Sequence, residues 1–173
     1  MKAIFTQSVL LLGISTLFSG ESRAEDFDRV NATKLNGVTA IDQFGKTHRF
    51  QFPTRRPVLV TTAGQRGSRD IESWIRPIGE EFYGKVEIIG IAQLEGVPAS
   101  LRGPLRKLIA MHSANHPVLL DWNGELCRLF PYSKNTVSVS LLDQNGTGVW
   151  AATGKVTPAE LEELRQQLRK MVR

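Results

Sequence analysis

The segment PVLVTTAGQRGSRDIESWIRPIGEEF, Pro57 to Phe82, changes its hydrophobic period once, and that change decides the fold. Pro57 opens Val58 to Thr62, a β-branched run with the composition of a central strand buried on both faces. Past Gly64-Gln65-Arg66-Gly67 the spacing becomes helical: Ile71, Trp74, Ile75, Ile78 and Phe82 share one face. Ser68 is placed to cap that helix. Pro77 lies inside it, removing one backbone donor and crowding the preceding turn, which predicts a kink.

Upstream, Val38 to Ile41 and His48 to Phe52 flank Asp42-Gln43-Phe44-Gly45-Lys46, a β-hairpin around a Gly-containing turn. Downstream, Val86 to Ala92 is a second apolar strand. Leu101, Leu105, Leu108, Ile109 and His112 mark a second helix, with Gly103-Pro104 set to split off its first turn. Pro117 to Leu120 is a short third strand, followed by a turn over Asp121–Gly124 and a helical piece reaching Phe130. Thr136 to Leu142 and Gly148 to Ala152 form a hairpin around Asn145-Gly146, a favoured tight-turn pair. Thr157-Pro158-Ala159-Glu160 then reads as a capping box with proline at the first helical position, and Leu161, Leu164, Leu168 and Met171 supply the apolar face. Strands alternating with helices and closed by a hairpin imply an α/β domain with a mixed sheet.

In this order, the elements over about residues 37–172 resemble the redoxin branch of the thioredoxin-like superfamily. Asp42, Gly45 and Lys46 are similar to the Asp-x-x-Gly-Lys hairpin opening such domains, and Pro57 to Thr62 to the strand entering the active site. Pro77 is similar to the kink proline of the next helix, and Pro117 to Asp121 to the third-strand segment. Leu141 to Gly146 with Gly154 resembles the closing hairpin. The resemblance implies a thioredoxin-like mixed sheet flanked by helices and preceded by an N-terminal β-hairpin.

It also implies a redox site that this chain lacks. Redox-active members place Cys-x-x-Cys between strand and kinked helix, where the helix N-terminus lowers a thiol pKa. Here Ala63 to Glu72 holds no cysteine. The cis-proline of the family aligns near Val137, with Pro131 too far upstream to replace it. The reading is therefore a thioredoxin-fold protein without dithiol redox activity, binding a partner or small ligand through the degenerate active-site face.

Cys127 is the sole cysteine, so one chain can form neither an internal disulfide nor a four-cysteine metal site. Free cysteine packs as a small hydrophobe, the role expected for Cys127. The alternative is a redox or peroxidase-like enzyme of the redoxin family acting through Cys127 alone, without the threonine and arginine such a thiolate requires. His112 and His116 have helical ligand spacing, but Pro117 disfavours helix at His116 and nothing completes a metal set. His48 reads as a surface residue, and Arg102, Arg106 and Lys107 as the solvated face of the second helix. No cofactor or metal is expected.

Arg66 and Arg69 flank the start of the first helix, beside Gly64 and Gly67. Helix N-termini favour anions, and two arginines add to that preference. Arg66, Gly67, Ser68 and Arg69 are accordingly the candidate ligand-binding residues, for a small anionic ligand or a protein partner.

The 173 residues divide as a signal peptide at 1–24, a linker at 25–36 and one domain at 37–173. Lys2, the apolar run Val9 to Phe18, and small residues Ser22 and Ala24 predict export to the periplasm or beyond, with cleavage after Ala24 or retention as an anchor. Membrane contact is expected only through this segment. The lipidated cysteine of a lipoprotein is replaced by Glu21. The net charge of +5 is spread along the chain and the tryptophans are isolated, which argues against nucleic acid.

Overall fold

The structure, a computed structural model, describes residues 34–113, 116–131, 133 and 135–172. The expected signal peptide and the linker as far as residue 33 lie outside the described residues. The linker's last residues belong to the fold: Lys34 bridges to Thr147, and Leu35 is buried with its N–H donating to Gly146 O at 3.0 Å.

Five strands form the main sheet: β3 (Val58–Ala63), β4 (Glu87–Gln93), β5 (Val118–Asp121), β6 (Val137–Leu142) and β7 (Gly148–Thr153). Their order is β5-β4-β3-β6-β7, with β3, β4 and β5 parallel and β6 and β7 antiparallel. β3 and β6 are buried at every position, which explains their lack of polar alternation. β1 (Gly37–Ile41) and β2 (Thr47–Gln51) form a separate antiparallel hairpin, joined to the main sheet by a bridge between Asp42 and Leu119.

The helices are α1 (Ile71–Glu81), α2 (Ala99–His112) and α3 (Pro158–Met171). One sheet face packs Leu59, Val137, Val139, Leu141 and Trp150 against Trp74, Ile78 and Phe82 of α1 and its C-cap and Leu164 and Leu168 of α3. The other packs Val58, Val60, Ile89, Ile91, Leu119 and Leu142 under Val38, Ala40, Phe50 and Phe52 of the hairpin and its extension, and under Leu126, Cys127, Leu129 and Phe130. A small, partly open pocket of about 20 Å³ adjoins that second core, lined only by apolar residues. The hairpin thus serves as a lid on a hydrophobic face.

The turns follow from side-chain chemistry. Asp42 Oδ1 accepts from the N–H groups of Phe44 and Lys46 (2.8 and 2.9 Å), and Asp143 Oδ1 from those of Asn145 and Thr147 (both 2.8 Å). Each turn closes on a glycine at positive φ, Gly45 and Gly146. Thr157 forms the expected capping box: its Oγ1 accepts from Glu160 N at 3.2 Å, and Glu160 Oε2 accepts from Thr157 N at 3.1 Å.

Three helical expectations need correction. α1 begins at Ile71, after a 3₁₀ turn at Gly67–Asp70, and its N-cap is Asp70. Ser68 caps nothing; its hydroxyl donates to Gln65 O at 2.9 Å. α2 runs through Pro104 as one helix and buries none of its residues fully; Leu105 and Ile109 are half-buried, while Leu101 and Leu108 are exposed. Its arginines are engaged: Arg106 Nε donates to Gln43 O at 2.9 Å, and Arg102 lies 5.2 Å from the centre of the Trp122 ring.

Candidate functional site at the end of the central strand

β3 ends at Ala63, opposite Val137 in register, and the chain turns through Gly64 to Arg66 into the 3₁₀ segment. This end of the sheet is held together by backbone. A Cβ on Gly67 would stand 2.3 Å from the carbonyl of Thr136, so only glycine permits this approach of the loop to the start of β6. Gly154 N donates to Val137 O at 2.8 Å, and the Trp74 indole N–H donates to Gly154 O at 2.9 Å. Trp74 is fully buried and meets Trp150 edge-on, with centroids 5.8 Å apart. Val137, at the aligned cis-proline position, is fully buried; the cis peptide among the described residues is Phe52–Pro53.

Gly67 and Ser68 are therefore structural: one allows a close approach, and the other ties the loop through Ser68 N to Gly64 O (3.1 Å) and its hydroxyl. Arg66 and Arg69 differ. Both are exposed, and neither has an ion pair or hydrogen bond among the described residues. Side chains three apart on a 3₁₀ turn eclipse one another, which sets the Cβ positions of Arg66, the N-cap of this turn, and of Arg69 on one side of it. Asp70 is half-buried and makes no side-chain cap bond with α1.

Cys127 sits in the opposite core, 2% exposed, in a 3₁₀ turn at Cys127–Leu129. Its N–H donates to Asp121 Oδ2 at 2.8 Å. Burial raises the thiol pKa far above its ordinary value, and the hydrogen bond and charge of Asp121, with the charge of Glu95, raise it further against the opposing Arg128. The thiol is thus held protonated and covered, unlike an acidic redox cysteine.

Two features were missed from sequence. Gln43 is buried: its Nε2 donates to Ser113 O, Ser113 Oγ and His116 O at 2.8–3.1 Å, and its Oε1 accepts from Val118 N at 2.7 Å. It clamps the hairpin to the end of α2 and the start of β5. His48, expected at the surface, is half-buried; its Nε2 lies 2.7 Å from Asp42 Oδ2 and its ring stacks on Phe50. Burial opposes ionisation of Asp42, but the bonds from His48, Lys46 and Phe44 outweigh it and lower the carboxyl pKa. The Asp-x-x-Gly spacing exposes the turn, while Gln43's partners lie 70 or more residues away in sequence. Among the described residues no three His, Cys, Asp or Glu side chains gather as a metal site would require. The Nδ1 of His112 lies 2.9 Å from the Leu108 carbonyl of its own helix.

No protein-family model matches the sequence, and no curated protein matches it. Solved structures do. The chain is similar to a protein of Chlorobium tepidum assigned as the thiol:disulfide interchange protein DsbE (17% identity, TM-score 0.62, 82% of this chain and 96% of that one). It is also similar to the pneumococcal exposed lipoprotein thioredoxin Etrx1 of Streptococcus pneumoniae (15%, 0.60, 78% and 98%). A DsbF homologue from Corynebacterium diphtheriae aligns comparably (12%, 0.60, 78% and 85%). At these identities the likeness establishes the fold alone: the domain has a thioredoxin-like fold, shared with a thiol:disulfide interchange protein and a lipoprotein thioredoxin.

Proposed function

We propose that this chain is an exported thioredoxin-fold binding protein without dithiol chemistry, which holds an anionic group of a small ligand or protein partner against Arg66 and Arg69. The observation that carries the reading is the contrast at the end of β3. The loop backbone is closed on itself through Gly67 and Ser68, while two neighbouring arginines stand exposed and unpaired among the described residues. Guanidinium groups bind carboxylate and phosphate oxygens bidentately, and two on one side of a turn suit one such group. Dithiol exchange needs a second thiol to resolve the mixed disulfide, and Cys127 stands alone. Export rests on the N-terminal segment and accords with the exposed lipoprotein among the structural neighbours.

The test is a titration of inorganic phosphate and acetate followed by backbone amide shifts. Saturable shifts at Gly67 to Ile71 that vanish in Arg66→Ala/Arg69→Ala support the site. Absent shifts, or shifts surviving both substitutions, refute it.

A further inference from the structure

We infer that residues 29–33, just outside the described residues, dock along the outer edge of β7 as a sixth strand of the main sheet. This inference is independent of the arginine loop. β7 is the last strand of its sheet, and β6 is its sole strand partner among the described residues. Opposed residues of antiparallel strands alternate between pairs that exchange hydrogen bonds and pairs that do not. Gly154 N donates to Val137 O, which makes Val139/Ala152 a bonded pair and leaves Ser140/Ala151 unbonded. The N–H and C=O of Ala151 therefore point away from β6. Ala151 is 2% exposed, yet it belongs to neither core, and these two groups meet no partner among the described residues. Buried backbone groups of a folded protein are paired, so this edge calls for a strand.

The start of the described chain selects the occupant. Lys34 forms an antiparallel bridge with Thr147, and Leu35 N donates to Gly146 O at 3.0 Å. Upstream of this bridge, an antiparallel arm runs in the direction of Thr153. Thr147 and Ala151 are about 13 Å apart along an extended strand, a distance that the same number of arm residues covers. Val30 or Asn31 then reaches Ala151, the choice being set by the irregularity of β7 opposite Leu141 and Leu142. Residues 25–36 contain neither proline nor glycine, so each can donate to a ladder. The other segments outside the described residues adjoin the end of α2, the start of β6 or the end of α3. A second copy would have to displace an arm already held at Thr147.

The experiment is amide hydrogen exchange followed by NMR on the full chain. The expected result is slow exchange at Ala151 and at alternate residues of 29–33. Asn31→Pro/Ala32→Pro puts a proline into the ladder whichever of the two residues faces β7. It should speed exchange at Ala151 at least about 10-fold and leave Val60, in the central strand, unchanged. Fast exchange at Ala151 in the unsubstituted chain overturns the inference, as does protection that survives both prolines. Should the variant unfold, as acceleration at Val60 would show, cross-strand Hα NOEs in the unsubstituted chain decide. NOEs between residues 29–33 and Gly148–Thr153 within one chain support the sixth strand. Their absence overturns it, and NOEs found only between differently labelled copies also overturn it, assigning the edge to self-association.

Discussion

The end of the sheet at Gly64–Asp70 and the hairpin at Asp42–His48 distribute polar groups in opposite ways. At the hairpin, charged and amide side chains are buried and satisfied: Asp42 accepts from two amides and contacts His48, and Gln43 makes four hydrogen bonds. At the loop, backbone and tryptophan fill the interior, and the charges of Arg66 and Arg69 are left outside. Buried groups with every partner met stabilise a fold, and unmet exposed cations remain available for binding. The hairpin therefore reads as architecture, and the loop is where we propose the working surface. That assignment reverses what polarity alone suggests, since the hairpin holds the more elaborate network.

The comparison can be broken at either anchor. Trp74→Ala removes the largest buried side chain of the loop end and its bond to Gly154, and should cost about 3–5 kcal/mol in denaturant unfolding. A loss under 1 kcal/mol would show that the loop end is not built on this tryptophan. Gln43→Leu keeps volume but removes the bond to Val118 N–H and those to three partly buried or exposed acceptors; at about 1–3 kcal/mol for a buried group left unmet, the loss should be about 1–3 kcal/mol in all. Neutrality there would make the clamp dispensable and the hairpin a poor candidate for architecture.

A smaller effect sharpens the hairpin side. The Asp42 carboxyl pKa is lowered in the fold, so its contribution is complete above the ordinary aspartate value of about 3.9 and drains away as pH falls through the lower folded value. Denaturation midpoints should therefore fall below about pH 4, and Asp42→Asn should flatten that slope while lowering stability at neutral pH. An unchanged slope would remove Asp42 as its source. The smallest expected effect lies between the two regions. The hydroxyls of Thr62 and Ser138, opposite one another in register, and of Ser140 are buried without a hydrogen-bond partner among the described residues. Thr62→Val should be neutral or stabilise by up to about 1 kcal/mol, since a buried polar group without a partner gives way to an apolar one of the same shape. Marked destabilisation would mean that the hydroxyl has a hydrogen-bond partner in the fold.

Much of this arrangement was legible in sequence because it is local. The Asp42 and Asp143 turns, the two all-buried strands and the Thr157 capping box each arise from residues a few positions apart. The missing cysteine pair was equally plain. What escaped depends on partners distant in the chain. Ser68 has the right residue type for a cap, but the 3₁₀ turn starts earlier because Gly67 fits against Thr136. α2 has a helical apolar period without a full core to receive it, and Arg106 turns inward because Gln43 O is there. Cys127 could be placed in the core by residue type alone, whereas its contact with Asp121 required the turn between them to close.

The central claim, a thioredoxin fold whose thiol chemistry is gone, is met most directly by the alkylation rate of Cys127 in the native protein against the unfolded chain. A buried thiol with a raised pKa should react at least about 100-fold more slowly when folded, with opening of the structure limiting the rate. Comparable rates, or faster reaction in the native protein, would show an exposed and acidic thiolate and return Cys127 to the chemistry of the fold.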